Sequence, residues 1–435
     1  MAKTKQRASL SPLGVSGLRF VSVGKHRRRP FVPRGFNYDW TMLDGRAVRL
    51  EDLLEGRADK IATDFDAMRR LGANTVRVFL PTGTFLKGPM EADGRALRRL
   101  AVLFRAAERN RLRLIMTGLS LIRAAEVPAW MRRASDATIE RAEMTFWRAL
   151  ARRGRSEASI FAYDLQNEPA IHWSDSRRLV DGRIRAPTGE SFCYVHRHYR
   201  RIRRQWTRHV RRHFRRESAV AAYWPDYPRR GETWSAIACP RQSRRDPRYR
   251  DYVWFHRLLL SAWARRLATA IRQADSRHLI TVGALDPEVM ADAVDFYSVH
   301  LYPKRVGARQ RFVSANRTAW RRQIEAVPAD KPLLIEEFFP LNTPRRVPTR
   351  AVVNALFAAT RARAAGWLTS YFGTPEILRR VRPQSDRRHQ AGVDAYVATL
   401  AHWRTAARAQ GSPRSVCPPR ITRMTPSETF AQVLR

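Results

Sequence analysis

The sequence predicts an α/β protein, a (β/α)8 TIM barrel with a long basic insertion after its fourth strand. Three observations carry that prediction. Short apolar strands alternate with longer amphipathic helices, the rhythm of a parallel sheet. One strand, Ile160-Phe-Ala-Tyr-Asp-Leu-Gln-Asn-Glu-Pro169, stops at Pro169, which has no N–H for a sheet ladder, and leaves Glu168 at its carboxyl-terminal end. Another, Pro332-Leu-Leu-Ile-Glu-Glu-Phe338, also ends in carboxylates. In a (β/α)8 barrel, catalytic residues project from that end of the strands.

A hairpin around Phe20 to Phe31 is expected before the first strand, at residues 33–38. A helix over 54–71 gathers Ile61, Phe65, Met68 and Leu71 on one face, and Gly72 stops it. The second strand is expected at 74–80, a helix at 95–110, the third strand at 112–117 and a helix at 138–152 before the fourth strand. The fifth, at 278–283, starts more than a hundred residues beyond Glu168, where a helix and return need about thirty to forty. The surplus, about 173–250, is rich in Arg, Trp, Tyr and His and begins on the catalytic face, so it is read as a basic cap there. A helix over 252–274 returns the chain, followed by strands at 294–300, 332–337 and 366–372 and a closing helix at 391–409. Residues 1–410 are read as a single catalytic domain and 411–435, with four prolines, as an irregular tail.

The 435 residues are 44% hydrophobic with a mean hydropathy of −0.48, and no apolar run suggests a membrane span. The basic amino terminus lacks the apolar stretch of a secretory signal, which reads as cytoplasmic by default and as secreted if the true start lies elsewhere. Cys193, Cys239 and Cys417 have no metal-ligand spacing and are too few for a disulfide scaffold, although the first two share the insertion and could pair. No metal and no cofactor is expected. Lys and Arg number 82 against 39 acids, a net charge of +43. Such a field attracts polyanions, but the arginines are spread along the whole chain, which equally suits solvated helix faces. There is no phosphate-binding glycine loop, zinc-ligand array or RNA-binding signature, so no specific nucleic-acid partner is predicted.

Two carboxylates on two strand ends suit glycoside hydrolysis with retention, in which one acid protonates the leaving oxygen and one carboxylate attacks the anomeric carbon. Glu168 is the candidate acid/base, which requires a raised pKa. Glu336 and Glu337 are the candidates for nucleophile, and strand alternation lets at most one of them enter the barrel mouth. Trp40, Trp173, Trp224 and Trp234 are candidate stacking platforms for sugar rings, and Trp173 follows Glu168 most closely.

The motifs resemble clan A glycoside hydrolases, and within them glycoside hydrolase family 5 with its cellulase- and mannanase-like relatives, over about residues 30–170 and 275–405. The resemblance implies several roles. Asn167-Glu168-Pro169 matches the fourth-strand signature, with Glu168 as acid/base and Asn167 on the sugar 2-hydroxyl. Glu337-Phe338-Phe339 matches the seventh-strand ending and favours Glu337 as nucleophile. Arg77, in Asn74-Thr-Val-Arg77-Val-Phe, would keep the nucleophile ionised. His300-Leu301-Tyr302 matches the sixth-strand motif, with His300 lining the site and Tyr302 hydrogen-bonding the nucleophile. Asn37, after the first strand, is a candidate substrate contact. Two departures bear on the sugar: Thr117-Gly-Leu-Ser120 replaces a histidine at the third strand, and Ser370 falls at the usual eighth-strand tryptophan, with Trp367, Tyr371 and Phe372 nearby. The expected function is cleavage of β-linked oligo- or polysaccharides, with an anionic substrate suggested by the charge. The alternatives are a transglycosylase on the same residues and a polyanion-binding protein on a degenerate barrel.

Overall fold

Eight parallel strands close into a barrel in chain order: Arg34–Tyr38, Thr75–Pro81, Arg113–Ser120, Ile160–Asn167, Leu279–Ala284, Tyr297–Leu301, Leu333–Phe338 and Ala364–Thr369. The eighth pairs with the first and the first with the second, so no strand has a free edge. This computed structural model describes residues 10–24, 27–44, 46–120, 128–132, 134–169, 171, 202–284, 287–306, 311–338, 343–344 and 346–369. The expected closing helix and tail, residues 370–372, Trp173, Cys193 and Cys417 lie outside the described residues.

The helix Ala58–Arg70 buries Ile61, Phe65 and Met68 against the barrel. Leu71, expected on that face, is instead the C-cap residue and 37% exposed, because the chain is already leaving the helix there. Gly72 follows at φ +95°, a left-handed conformation natural to glycine, and Ala73 N–H reaches back to the Met68 carbonyl. The helix expected at 95–110 is two pieces, Gly94–Arg99 and Ala101–Arg109, joined at Leu100. Asp93 caps the first piece by accepting from the Arg95 and Ala96 N–H groups.

The expected hairpin is a three-stranded antiparallel sheet, Leu13–Ser16, Arg19–Val23 and Arg28–Phe31. It seals the amino-terminal mouth of the barrel. Leu13 and Phe20 pack with Ile115, Phe161, Leu279, Phe296, Leu334 and Leu368, which lie at or near the beginnings of the later strands or on their inward face. The Phe20 ring meets Phe161 edge-on at 5.0 Å and Phe296 at 4.9 Å, while Phe161 and Phe296 stack at 5.4 Å. Above this apolar plug the lumen turns polar. Thr281 donates to the Phe296 carbonyl, and its hydroxyl lies 2.9 Å from that of Ser298.

The described part of the insertion contains helices Ile202–Phe214 and Glu217–Tyr223 and leads into the 24-residue helix Tyr249–Arg272. It has its own small core of Ile202, Trp206, Val210, Val220, Trp224 and Ile237, closed by Tyr252 and Phe255 from the first turns of the long helix. Ile171, three residues past Glu168, packs against this core. Trp224 is therefore a buried core residue, its Nε1–H donated to Asp251, and not a sugar platform.

Candidate active site

The polar groups gather at the carboxyl-terminal half of the barrel around Arg77, which rises from the second strand with no solvent exposure. Its Nη2 donates to Asp164 Oδ2 at 2.6 Å and to Asn167 Oδ1 at 2.9 Å. Its Nη1 donates to Glu337 Oε1 at 2.5 Å and to Asn37 Oδ1 at 3.1 Å, and its Nε lies 3.4 Å from Glu336 Oε1. Burial opposes a charged guanidinium, but the surrounding carboxylates of Glu336, Asp164 and Glu337 outweigh it and hold the charge on.

The expected pair comes together. A carboxylate oxygen of Glu168, a ring nitrogen of His300 and a carboxylate oxygen of Glu337 lie within 4.8 Å of one another. That spacing could hold a cation, but the ring nitrogen facing Glu168 is engaged in a hydrogen bond, and the set reads as a carboxylate pair bridged by an imidazole. Glu337 accepts from Arg77 on one oxygen and from the Tyr302 hydroxyl on the other, at 2.5 Å each. Glu168 sits where strand four ends. Its N–H donates to the Gly283 carbonyl at 2.7 Å and its φ is +47°, an uncommon conformation for a side-chain-bearing residue. The carboxylate is 24% exposed and takes a 2.7 Å hydrogen bond from His300 Nδ1.

The seventh strand departs from simple alternation. Val299 pairs with Ile335, yet the next residue, His300, pairs with Glu337, so the ladder skips Glu336. Such a bulge sets two residues opposite one and breaks the in–out order. Both glutamates consequently face the lumen, correcting the expectation that only one would. Glu336 is fully buried, with Oε2 at 3.5 Å from His300 Nε2. Gly283 on the fifth strand leaves the room: a Cβ there would lie 2.8 Å from His300 Nε2 and 2.9 Å from Arg77 Nη2, and closer still to Glu336 Oε2.

Asp164 and Thr117 belong to the site although the strand-end reasoning did not assign them to it, and Glu336, expected there only as the alternative to Glu337, joins them. Asp164 accepts from Arg77, from the Thr117 hydroxyl at 2.8 Å and from the Gly283 N–H at 2.9 Å. Burial, then the charge of Glu336, pushes its carboxyl up to about 6 despite Arg77. Period two from Glu168 back through Gln166 would have pointed to Asp164. Burial would raise Glu168 too, but the hydrogen bond and charge of His300, helped by Arg77, leave it below the ordinary carboxylate range, not above it as expected of the acid. His300 is the counterpart: burial alone would lower it, and Glu337, Glu168 and Glu336 push it up to about 10.

Two other candidates change role. Asn37 is buried and donates to the Glu336 and Thr369 carbonyls, so it ties strands one, seven and eight together and does not face substrate. Trp367 points away from the lumen, packs on Phe357 at 5.5 Å and donates to Thr360, because Leu368 is the neighbour that faces inward. Trp40 is half-buried in a hairpin formed by Trp40–Leu43 and Arg46–Arg49 just past the first strand. Trp234 is half-buried, with the Arg211 guanidinium 5.7 Å from its ring centre.

No known family profile matches the chain, and no curated protein does. Solved structures with the same fold do. The exo-β-1,4-mannosidase Op5Man5 from Opitutaceae bacterium strain TAV5 is 18% identical over 86% of this chain, with a TM-score of 0.53, and the match spans only 60% of that longer chain. GH5_18 from Streptomyces cattleya, solved with GlcNAc, is 17% identical over 88% of this chain and 82% of its own, with a TM-score of 0.53. The β-glucanase SdGluc5_26A from Saccharophagus degradans, solved with cellotetraose, is 13% identical over 91% and 94% of the two chains, with a TM-score of 0.52. The shared feature is the (β/α)8 barrel.

Proposed function

We propose that this barrel is a retaining glycoside hydrolase acting on β-linked sugars, with Glu168 as general acid/base and Glu337 as nucleophile. The observation that carries the reading is the approach of an oxygen of each carboxylate to within 4.8 Å, close to the roughly 5–5.5 Å of retaining enzymes and short of the roughly 6.5–9.5 Å of inverting ones. Glu337 is the better nucleophile of the tandem pair because Arg77 and Tyr302 brace both its oxygens, and such donors suit a carboxylate aimed at an anomeric carbon. Asn167, fixed through its Oδ1 by Arg77, is the residue proposed to meet the sugar 2-hydroxyl. In the first half-reaction Glu337 bonds to the anomeric carbon while the leaving oxygen takes a proton from Glu168. In the second, water attacks and returns a proton to Glu168. Mannans and glucans are the first substrates to try, since the structurally similar proteins include a mannosidase and a glucanase.

The arginine-rich insertion is proposed to wall this site, an idea supported by Ile171, which links its core to the chain leaving Glu168. The function is tested on a panel of β-linked glucans, mannans and aryl glycosides, reading the product anomer by NMR. The β-anomer should appear first. Glu337→Ala should lose turnover and regain part of it with azide, and Glu168→Ala should slow poor leaving groups more than good ones. An inverted product, or an E337A enzyme as fast as the parent, would refute the assignment.

A further inference from the structure

The tandem carboxylate that the proposed chemistry leaves unused sits against the far side of the imidazole that touches the acid/base. His300 presents Nδ1 to Glu168 at 2.7 Å and Nε2 to Glu336 at 3.5 Å. Nδ1 is also 3.7 Å from Glu337 Oε2. Among the described residues, every charged group in contact with the ring is thus a carboxylate: Glu168 from strand four, Glu336 and Glu337 from strand seven. Strand five contributes only Gly283, and the Arg77 guanidinium of strand two is turned toward the same carboxylates. A neutral imidazole has one donor and one acceptor nitrogen. Its acceptor would then face a carboxylate in a fully buried place, lone pair against lone pair.

We infer that Glu336 is a positioning residue that keeps His300 doubly protonated, so that His300 serves as the proton store from which Glu168 is charged for leaving-group protonation. The inference rests on the roles assigned to Glu168 and Glu337 above. It also explains how Glu168 acts as an acid although His300 holds its carboxyl low. As substrate displaces solvent from Glu168, the Nδ1 proton passes to Glu168 and on to the leaving oxygen. The leaving group departs as an alcohol, Glu337 forms the glycosyl ester, and His300 is left neutral with its remaining proton on Nε2, toward Glu336. When water resolves the ester, its proton travels back through Glu168 to Nδ1, and the pair is restored. Two further features fit this arrangement. The bulge turns Glu336 inward toward the ring, and the glycine leaves space for both groups. The ring is also held charged to about 10, so the store stays filled into alkaline solution.

The test compares the parent with Glu336→Gln, which keeps the shape and removes the charge. Two readouts are followed. For kcat/KM against pH, the basic limb should move toward acid by about one unit or more. At fixed pH, poor-leaving-group substrates should lose about tenfold more than a dinitrophenyl glycoside, which needs no proton. Superimposable limbs with an equal loss on all substrates would mean that Glu336 only props the fold. Apart from these kinetics, the 15N NMR titration of the His300 ring is followed in the parent, assigned by its absence in His300→Gln. Both nitrogens should be protonated at pH 8, and a neutral ring there overturns the inference even if E336Q fails to fold. A parent inactive on every glycoside would instead count against the hydrolase reading and leave this titration to decide the state of His300.

Discussion

Arg77 shows how one residue can organise a site. A single buried guanidinium touches side chains from strands one, four and seven, and its plane lies over the Phe79 ring at 4.6 Å. Its fork geometry and permanent charge suit that task in a way an ammonium does not. Replacing it with Met would leave Asp164, Glu336 and Glu337 facing one another unneutralised. Removing one partner of a buried ion pair typically costs about 3–5 kcal/mol. Arg77→Met should therefore lose stability on that scale in urea unfolding, and Arg77→Lys should recover only a fraction. A variant within about 1 kcal/mol of the parent would show that the carboxylates simply take up protons. Glu168 and the Glu336–Glu337 pair were legible as carboxylates at apolar strand ends, where local pattern and barrel geometry coincide, whereas Arg77, Asn167, His300, Tyr302 and the choice of Glu337 were expected only from the resemblance of their motifs to a known family. Asp164 was not assigned, being one acidic letter inside a buried strand. Asn37 was seen but misread, since its partners are backbone carbonyls that no motif reveals.

At the scale of single elements, each of the eight barrel strands could be read in order from periodicity, and their ends differ from expectation by a few residues. What periodicity could not supply was the seventh strand's bulge. Alternation is a property of one strand, whereas a skipped rung is a property of two, here Tyr297–Leu301 against Leu333–Phe338. The same blindness misplaced Trp367, whose side of the sheet is settled by Leu368 joining the apolar plug. The fifth strand depends on Gly283 for the complementary reason, that the lumen has no volume for a methyl group beside the charge cluster. Gly283→Ala should lower the melting temperature by several degrees, as expected for a loss of roughly 1–3 kcal/mol by overpacking. It should also impair kcat more than KM, because the displaced groups are Glu336, His300 and Arg77 and not a sugar platform. An unchanged melting curve and unchanged kcat would mean that the lumen relaxes freely around the methyl.

For the whole molecule, the charge of +43 is divided between two uses. Part is internal. Arg248 is fully buried in the insertion, where it donates to Glu232 at 2.6 Å and to Asp226 at 3.1 Å with Trp224 beneath it, while Arg229 holds Asp246 at 2.8 Å. Such arginines build the insertion and offer little to a ligand. Others are exposed: Arg204, Arg208, Arg211 and Arg212 line the outer side of helix Ile202–Phe214. If that helix meets substrate, acidic oligosaccharides should show higher kcat/KM than matched neutral ones, and salt should erase the advantage, since exposed charges are screened beyond about 8 Å at physiological ionic strength. Charge reversal at Arg208 and Arg212 should abolish the difference, whereas reversal at the equally exposed Arg317 and Arg321 of helix Phe312–Glu325 should not. Equal rates for both substrates at every salt concentration would assign these arginines to solvation alone.

The plug at the amino-terminal mouth has a consequence for biosynthesis. Its sheet, Leu13–Phe31, is made before every strand of the barrel, yet its apolar face is covered by residues as late as Leu334 and Leu368. The strands that close the ring are as distant, with Asn37 and Thr369 separated by 332 positions in the chain. Closing so long a loop forfeits chain entropy before any contact repays it, which makes long-range pairing slow. A growing chain on the ribosome therefore carries Leu13 and Phe20 without their final neighbours until almost all of the described barrel has been translated, and the sheet that precedes the barrel is among its last parts to find a place.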